Sequence, residues 1–299
     1  MKISGFSYIR NGFNYEYPFL QSIQSILPIC DEFLIAVGDS QDNTREAIIN
    51  LNNSKIKIID TIWDEKLRAN GEIFAKQSNV ALIEASGDWL FHLQADEVIH
   101  ENDLNTIYQQ IIEANKNRNV EGLLFNFLNF HGNYSYLNDS RYQHRKEIRA
   151  FRNDLNIYSY KDSQGFRKYK SFDDHLNKQA GVKVKVKEIG VPVYHYSYVR
   201  SPRQMNEKSK IFESFWHDDN YIEKKYSLKK EFDYNNIDRV KLFTGKHPAI
   251  MEEIIKKVDW DFKASDIKGI TTIKKKFIYW LEDLINYRIG EYKNYKVIK

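Results

Sequence analysis

The stretch Gly87-Asp88-Trp89-Leu90-Phe91-His92-Leu93-Gln94-Ala95-Asp96-Glu97 constrains this chain most. Residues 88–93 are rich in aromatic and aliphatic side chains and read as a buried strand. The apolar run stops at Gln94, and two carboxylates follow, Asp96 and Glu97. A helix begins soon after, with Asn102 placed as its N-cap and Asp103 in its first turn. Ligands of open α/β sheets bind in the crevice beyond the carboxyl ends of the strands. Acids at that edge are sited to hold a divalent cation; the plainer reading makes them solvated turn residues.

The residues before this stretch alternate strand and helix patterns. Strands are predicted at 3–9, 32–37 and 55–60, and helices at 18–27, 44–51 and 71–85. Gly87 reads as the C′ glycine closing the last helix. The turn-rich segment Gly38-Asp39-Ser40-Gln41-Asp42-Asn43 breaks the second strand. Repeats of this length imply a mostly parallel sheet with helices on both faces. Further strands are predicted at 122–130, 147–151, 157–160, 182–189 and 191–198. Ser201-Pro202 opens a helix to Trp216 with Met205, Phe212, Phe215 and Trp216 on one side. No glycine- or proline-rich linker divides the chain. The expectation is an α/β core over 1–220, with a helical extension over 221–299 packed on it.

Charge excludes some partners. The net charge of +4 over 299 residues does not argue for nucleic acid. Cys30 is the sole cysteine, so no disulfide forms within the chain and no cysteine-based metal site is expected. Residues 268–299 carry eight Lys/Arg against three Asp/Glu. Within them, 272–289 reads as an amphipathic helix with an apolar stripe of Ile273, Phe277, Trp280, Leu281 and Leu284, and with Lys274, Lys275 and Lys276 at its start. The stripe either packs on the chain's own domain or meets a membrane surface. The first residues are too polar for a signal core, and no apolar run approaches the ~20 residues of a membrane span. The expectation is a cytoplasmic chain, attached at most peripherally to the inner membrane face, of undetermined oligomeric state.

Three strand ends carry polar residues suited to chemistry: Arg10 after the first strand, Asp39 after the second and Asp96 after the fourth. In a parallel sheet these loops converge on one edge. Asp39 can accept hydrogen bonds from a base or ribose, Asp96 can bind a metal, and Arg10 can offset phosphate charge. At this point the chain resembles glycosyltransferases of the GT-A fold, close to the large family 2 group. One part of the likeness is Val37-Gly38-Asp39-Ser40-Gln41-Asp42-Asn43-Thr44. Another is Asn79, Ala81, Ala85-Ser86-Gly87 and Leu93-Gln94-Ala95-Asp96-Glu97, in register over 19 residues. A narrower subgroup resembles the chain at Asp162-Ser163-Gln164-Gly165-Phe166, Tyr194-His195-Tyr196, Val199-Arg200, Trp216-His217-Asp218-Asp219 and Gly245-Lys246-His247-Pro248.

The resemblance implies a GT-A-like fold, a nucleotide-diphosphate sugar donor (a UDP-sugar first of all) and a divalent cation, Mn2+ or Mg2+. The donor half would span about 1–100 and the acceptor half about 101–220. Carried over, Arg10, Asp39, Gln77, Gln94 and Asp96 contact the nucleotide sugar, and Asp96 with His195 holds the metal. Gln94 departs from the pattern, since it stands where the first acid of an Asp-x-Asp motif is expected. His195 would compensate as a late imidazole ligand, or else be a core histidine between two tyrosines. Transfer with inversion needs a carboxylate base. Asp162 is assigned that role, with Asp173 and Asp174 as alternatives. Trp216, His217 and Asp218 are assigned to a glycan or lipid-linked acceptor. Two other readings stay open. A nucleotidyltransferase would carry a glycine-rich basic loop after the first strand, which Tyr8-Ile9-Arg10-Asn11-Gly12 is not. A catalytically silent sugar- or nucleotide-binding protein is kept open by Gln94.

Overall fold

A computed structural model describes residues 1–298 apart from 65, 66, 68–70, 162, 164, 271 and 286. The chain runs β1 (Ile3–Ile9), α1 (Phe19–Ile26), β2 (Glu32–Val37), α2 (Thr44–Ile49), β3 (Ile56–Asp60), α3 (Glu72–Ile83), β4 (Trp89–His92), β5 (Glu97–Ile99) and α4 (Leu104–Lys116). It continues through β6 (Gly122–His131), β7 (Asn133–Asn138), β8 (Lys146–Arg152), β9 (Ile157–Ser159), β10 (Phe166–Lys168), α5 (Phe172–Leu176) and β11 (Val182–Tyr198). It ends with α6 (Pro202–Ser214), α7 (Asp219–Tyr226), β12 (Val240–Leu242), α8 (Glu252–Ile255), α9 (Ile273–Ile285) and β13 (Tyr295–Val297).

The sheet order is β3-β2-β1-β4-β8-β6-β11-β10-β9. Strands β3, β2, β1 and β4 are parallel. Strand β8 is antiparallel to both β4 and β6, and β11 returns parallel to β6. The fold is therefore a mixed α/β sheet flanked by helices, parallel through β3, β2, β1 and β4 as expected from the sequence, but mostly antiparallel beyond β4, where the expectation was a mostly parallel sheet. Side chains alternate across β1 and β2, as the two-residue strand period requires. Ile3, Phe33 and Ile35 face one core layer, shared with Ile23 of α1 and Ile107 of α4. Phe6, Leu34 and Ala36 face the other, shared with Ala81 and Leu82 of α3. Burial on both faces explains why β2 is apolar almost throughout.

Several local expectations need correction. Glu97 is not a solvated turn residue: it starts β5, pairs opposite His195 and is fully buried. Helix α3 ends at Ile83, so Gly87 is not its C′ residue. A Cβ on Gly87 would lie 2.6 Å from Ser4 Oγ, so the glycine lets the chain pass close to β1. Asn102 caps nothing: it lies in a 3-10 turn, Glu101–Asp103, capped by His100, whose side chain accepts from the Asn102 amide, and Asp103 is the residue that precedes α4. The strands predicted at 182–189 and 191–198 form one strand, β11, with a register shift between Glu188 and Pro192 and Gly190 at φ +71°. The segment after residue 220 supplies strands as well as helices, since β12 pairs with β7 and β13 with β11. No described helix is long and apolar enough to cross a membrane.

Candidate active site

The corner after β4 is held by hydrogen bonds to several of its peptide groups, as buried backbone requires. Ser7 Oγ donates to the Leu93 carbonyl at 2.5 Å, and Ser22 Oγ to the Gln94 carbonyl at 2.9 Å. The Glu97 amide donates to the Gln94 carbonyl at 3.0 Å, and the Tyr196 amide to the Asp96 carbonyl at 2.8 Å. The Glu97 carboxylate accepts from the Gln94 amide at 3.2 Å. It also takes a bidentate pair from Arg149, at 2.7 and 2.6 Å. Glu97 is thus the bracket of the corner, which leaves Asp96 as the acid facing outward.

Asp96 faces a cavity of about 730 Å³, whose wall includes Tyr8, Arg10, Gln94, His195 and Lys208. The antiparallel pairing of β11 with β5 brings His195 to this edge. His195 Nε2 lies 3.7 Å from Asp96 Oδ1. Its Nδ1 is 2.7 Å from Asn129 Oδ1. Asn129 Nδ2 donates to the His144 carbonyl at 2.7 Å, which orients the amide with its oxygen toward His195. Nδ1 therefore carries the proton, and the Nε2 lone pair faces Asp96. Burial depresses the His195 pKa below the usual imidazole value, against the pull of Asp96, and keeps the ring neutral.

Lys208 on α6 occupies the other side of Asp96. Its Nζ is 3.4 Å from Asp96 Oδ2 and donates to Ser197 O and Oγ at 3.0 and 3.1 Å. It sits 4.9 Å from the centre of the Tyr17 ring. Burial and the neighbouring Arg200 bring its pKa down to about 7, against the pull of Asp96. Burial alone would raise the Asp96 carboxyl, but Lys208, His195 and Arg200 hold it at about 2. Arg200 is a buried latch, donating to the carbonyls of Tyr15 and Ser197, both at 2.5 Å.

At one end of the cavity Arg10 pairs with Asp39 at 3.1 Å, and Asp39 accepts from the Trp63 amide at 3.2 Å. Tyr8, Trp63, Phe74, Phe212 and Phe215 form an aromatic wall there. The Trp63 indole N–H is buried without a hydrogen-bond partner among the described residues. A Cβ on Gly38 would lie 2.5 Å from that nitrogen, so the turn glycine makes room for the indole. The far end is walled by Arg141, Arg145, Arg288, Glu291 and Asn294.

The assigned residues divide accordingly. Arg10, Gln94, Asp96 and His195 line one cavity, and Asp39 joins them through Arg10. Gln77 lies buried on α3, outside the cavity wall. Trp216, His217 and Asp218 are also outside it. Trp216 is partly exposed, His217 stacks on Tyr221 at 4.0 Å, and Asp218 caps α7 by accepting from the Tyr221 amide. Asp173 and Asp174 start the short helix α5, away from the wall. Asp162 lies outside the described residues; its neighbour Ser163 lines the cavity. Lys208, Tyr17 and Trp63 were not singled out from sequence. One signal existed: position 208 shares a helix face with Met205 and Phe212, and a lysine on an apolar stripe needs a partner.

The donor set suits a cation brought with a substrate. Among the described residues no group of three His, Cys, Asp or Glu side chains is placed to hold a metal. Asp96 and His195 supply one carboxylate and one neutral imidazole, a set compatible with manganese. Magnesium and its analogues commonly take one or two protein carboxylates and fill the remaining positions from phosphate and water.

No family model matches the sequence, and no curated protein does. Solved structures similar to this chain include S. aureus TarS 1–349, at 16% identity over 75% of this chain and 68% of that chain, TM-score 0.41. The same fragment in complex with UDP gives 17%, 75%, 69% and 0.41. Glucosyl-3-phosphoglycerate synthase from Mycobacterium tuberculosis, in complex with Mg2+ and uridine diphosphate, gives 13%, 73%, 81% and 0.37. A longer TarS structure is covered over 39% of its length. At these identities the likeness concerns the fold alone.

Proposed function

We propose that this chain is a glycosyltransferase that moves a sugar from a nucleotide diphosphate donor, a UDP-sugar, to a carbohydrate or lipid-linked acceptor with inversion. One observation carries the reading. Arg10, Gln94, Asp96, His195 and Lys208, drawn from separate stretches around 10, 94–96, 195 and 208, line one cavity at the carboxyl edge of the parallel strands. That edge is where α/β sheets bind nucleotides. Arg10, Asp39 and the aromatic wall suit the base and ribose. Asp96, His195 and Lys208 suit the diphosphate. A divalent cation held by Asp96 and His195 together with the diphosphate would stabilise the charge of the leaving group.

In this reading the acceptor hydroxyl oxygen attacks the anomeric carbon while the bond to the diphosphate oxygen breaks. A carboxylate takes the hydroxyl proton, and Asp162 is the proposed base. Asp162→Asn is expected to leave uridine diphosphate affinity unchanged and to cut sugar transfer by about 10²–10⁴. Single-turnover assays read this, and transfer at the normal rate would place the base elsewhere. The Lys208 ammonium pairs with Asp96 and would add positive charge beside the arriving phosphate. Lys208→Met is expected to weaken uridine diphosphate binding roughly 10- to 100-fold, since a charge-assisted hydrogen bond contributes about 1.5–3 kcal/mol. Calorimetry measures it, with a thermal melt as the folding control.

A second reading has one observation in its favour. Gln94 adds no charge for a cation, and Lys208 already balances Asp96. A silent nucleotide-binding protein would bind uridine diphosphate yet turn over no UDP-sugar in a donor hydrolysis assay.

A further inference from the structure

Four of the five residues of the α9 apolar stripe face away from the protein, and Leu281 is half-buried. Ile273, Phe277, Trp280 and Leu284 recur at i, i+4, i+7 and i+11, and they are 86%, 58%, 58% and 67% exposed. The helix docks through its other side. Tyr279 and Glu282 are buried, Tyr279 Oη accepts from the Arg141 amide at 2.9 Å, and Glu282 pairs with Arg141. Arg239 covers the Tyr279 ring at 4.5 Å. A domain-packed helix would bury its stripe and expose Glu282, the reverse of what is found. Contiguous exposed apolar surface of this kind marks an interaction site.

Charge identifies the partner. Lys274 and Lys276 stand exposed at the start of the stripe, while Lys275 is tied to Asp238 at 3.3 Å. Residues 268–299 carry eight Lys/Arg and three Asp/Glu. Basic residues beside an aromatic and aliphatic face match the interfacial zone of an anionic bilayer, where rings sit at headgroup level and cations meet lipid phosphates. The docking of α9 also adjoins the cavity. Arg141, which binds Tyr279, Glu282 and the Ile289 carbonyl, lines the far end of the cavity together with Arg288.

We propose that α9 seats on an anionic lipid surface through Ile273, Phe277, Trp280 and Leu284, with Lys274 and Lys276 meeting the headgroups. The docking itself is independent of the proposed sugar transfer. Its consequence, that an acceptor would be met at the far end of the cavity beside a lipid surface, rests on that reading. The test is sedimentation of the full chain with vesicles of neutral phosphatidylcholine, or of phosphatidylcholine with phosphatidylglycerol. The full chain is expected to sediment with the anionic vesicles at least tenfold more strongly than with neutral ones, and less in high salt. Phe277→Ser/Trp280→Ser and, separately, Lys274→Glu/Lys276→Glu are expected to lose this binding while keeping the wild-type melting temperature. Uridine diphosphate affinity, measured on the same samples, reports separately on the sugar-transfer reading. Failure to bind anionic vesicles would overturn the proposal, as would an unchanged apolar double variant. A concentration-dependent dimer lost in that variant, without vesicle binding, would assign the stripe to a second copy and equally overturn it.

Discussion

Asp96→Asn is expected to lower uridine diphosphate affinity by roughly a hundredfold, about 3 kcal/mol, because it removes the acid that faces the proposed diphosphate site. Asparagine keeps the shape and removes the charge, so it separates function from folding better than alanine. The loss should appear with Mn2+ present, since Asp96 and His195 are the proposed cation ligands. Stability should move in a defined direction as well. The carboxyl sits at about 2 in the folded chain, against an ordinary value of 3.8. Its stabilising contribution is present above the unfolded value and is lost as pH falls through the folded one, an effect of about 2 kcal/mol. Wild type should therefore lose stability between about pH 4 and 2 more steeply than Asp96→Asn, which acid titration of a urea melt would read. Equal acid limbs would mean that Lys208 does not hold Asp96 ionised.

The second large effect concerns the bracket behind that acid. Glu97→Gln leaves the Arg149 guanidinium buried without its charge partner, and breaking such a pair costs about 3–5 kcal/mol. A fall in melting temperature of roughly 6–15 °C is expected for a chain of this size. The side chains are only 0% and 3% exposed, so solvent cannot substitute for the lost carboxylate. Nucleotide affinity should fall too, because Glu97 fixes the Gln94 amide beside Asp96. Glu97→Gln/Arg149→Met should be less damaging than the sum of the single changes, since an apolar side chain removes the stranded charge. A thermal melt within 2 °C of wild type for Glu97→Gln would show that the pair does not brace the corner.

The first hundred residues were legible because their signals are local. Strand and helix periods alternate cleanly there, and the polar residues at strand ends identify the edge of a parallel sheet. Asp96 could be placed from this pattern. His195 could be named only through a resemblance, because β11 and β5 pair across a long separation that no period encodes. The sequence leaves Glu97 open between a cation-side acid and a solvated turn residue for the same reason: its partner Arg149 lies on β8, and burial against that strand has no local signal. Gly87 looked like a helix stop, yet its constraint is the passage of β1. The α9 stripe had the period of a packed helix. Its outward orientation follows from Arg141 capturing Tyr279 and Glu282, a choice between two faces that amphipathicity alone does not make. Trp216, His217 and Asp218 formed an attractive aromatic–acid run, but Asp218 is spent on capping α7.

The corner around Asp96 is proposed to receive a nucleotide diphosphate. Isothermal titration calorimetry of uridine diphosphate into the full chain tests it most directly, with Mn2+ and then with a chelator. Saturable binding of one nucleotide is expected, tightened by Mn2+ and weakened roughly a hundredfold in Asp96→Asn. Absence of binding by uridine diphosphate and by the other nucleoside diphosphates, with and without Mn2+, would contradict it.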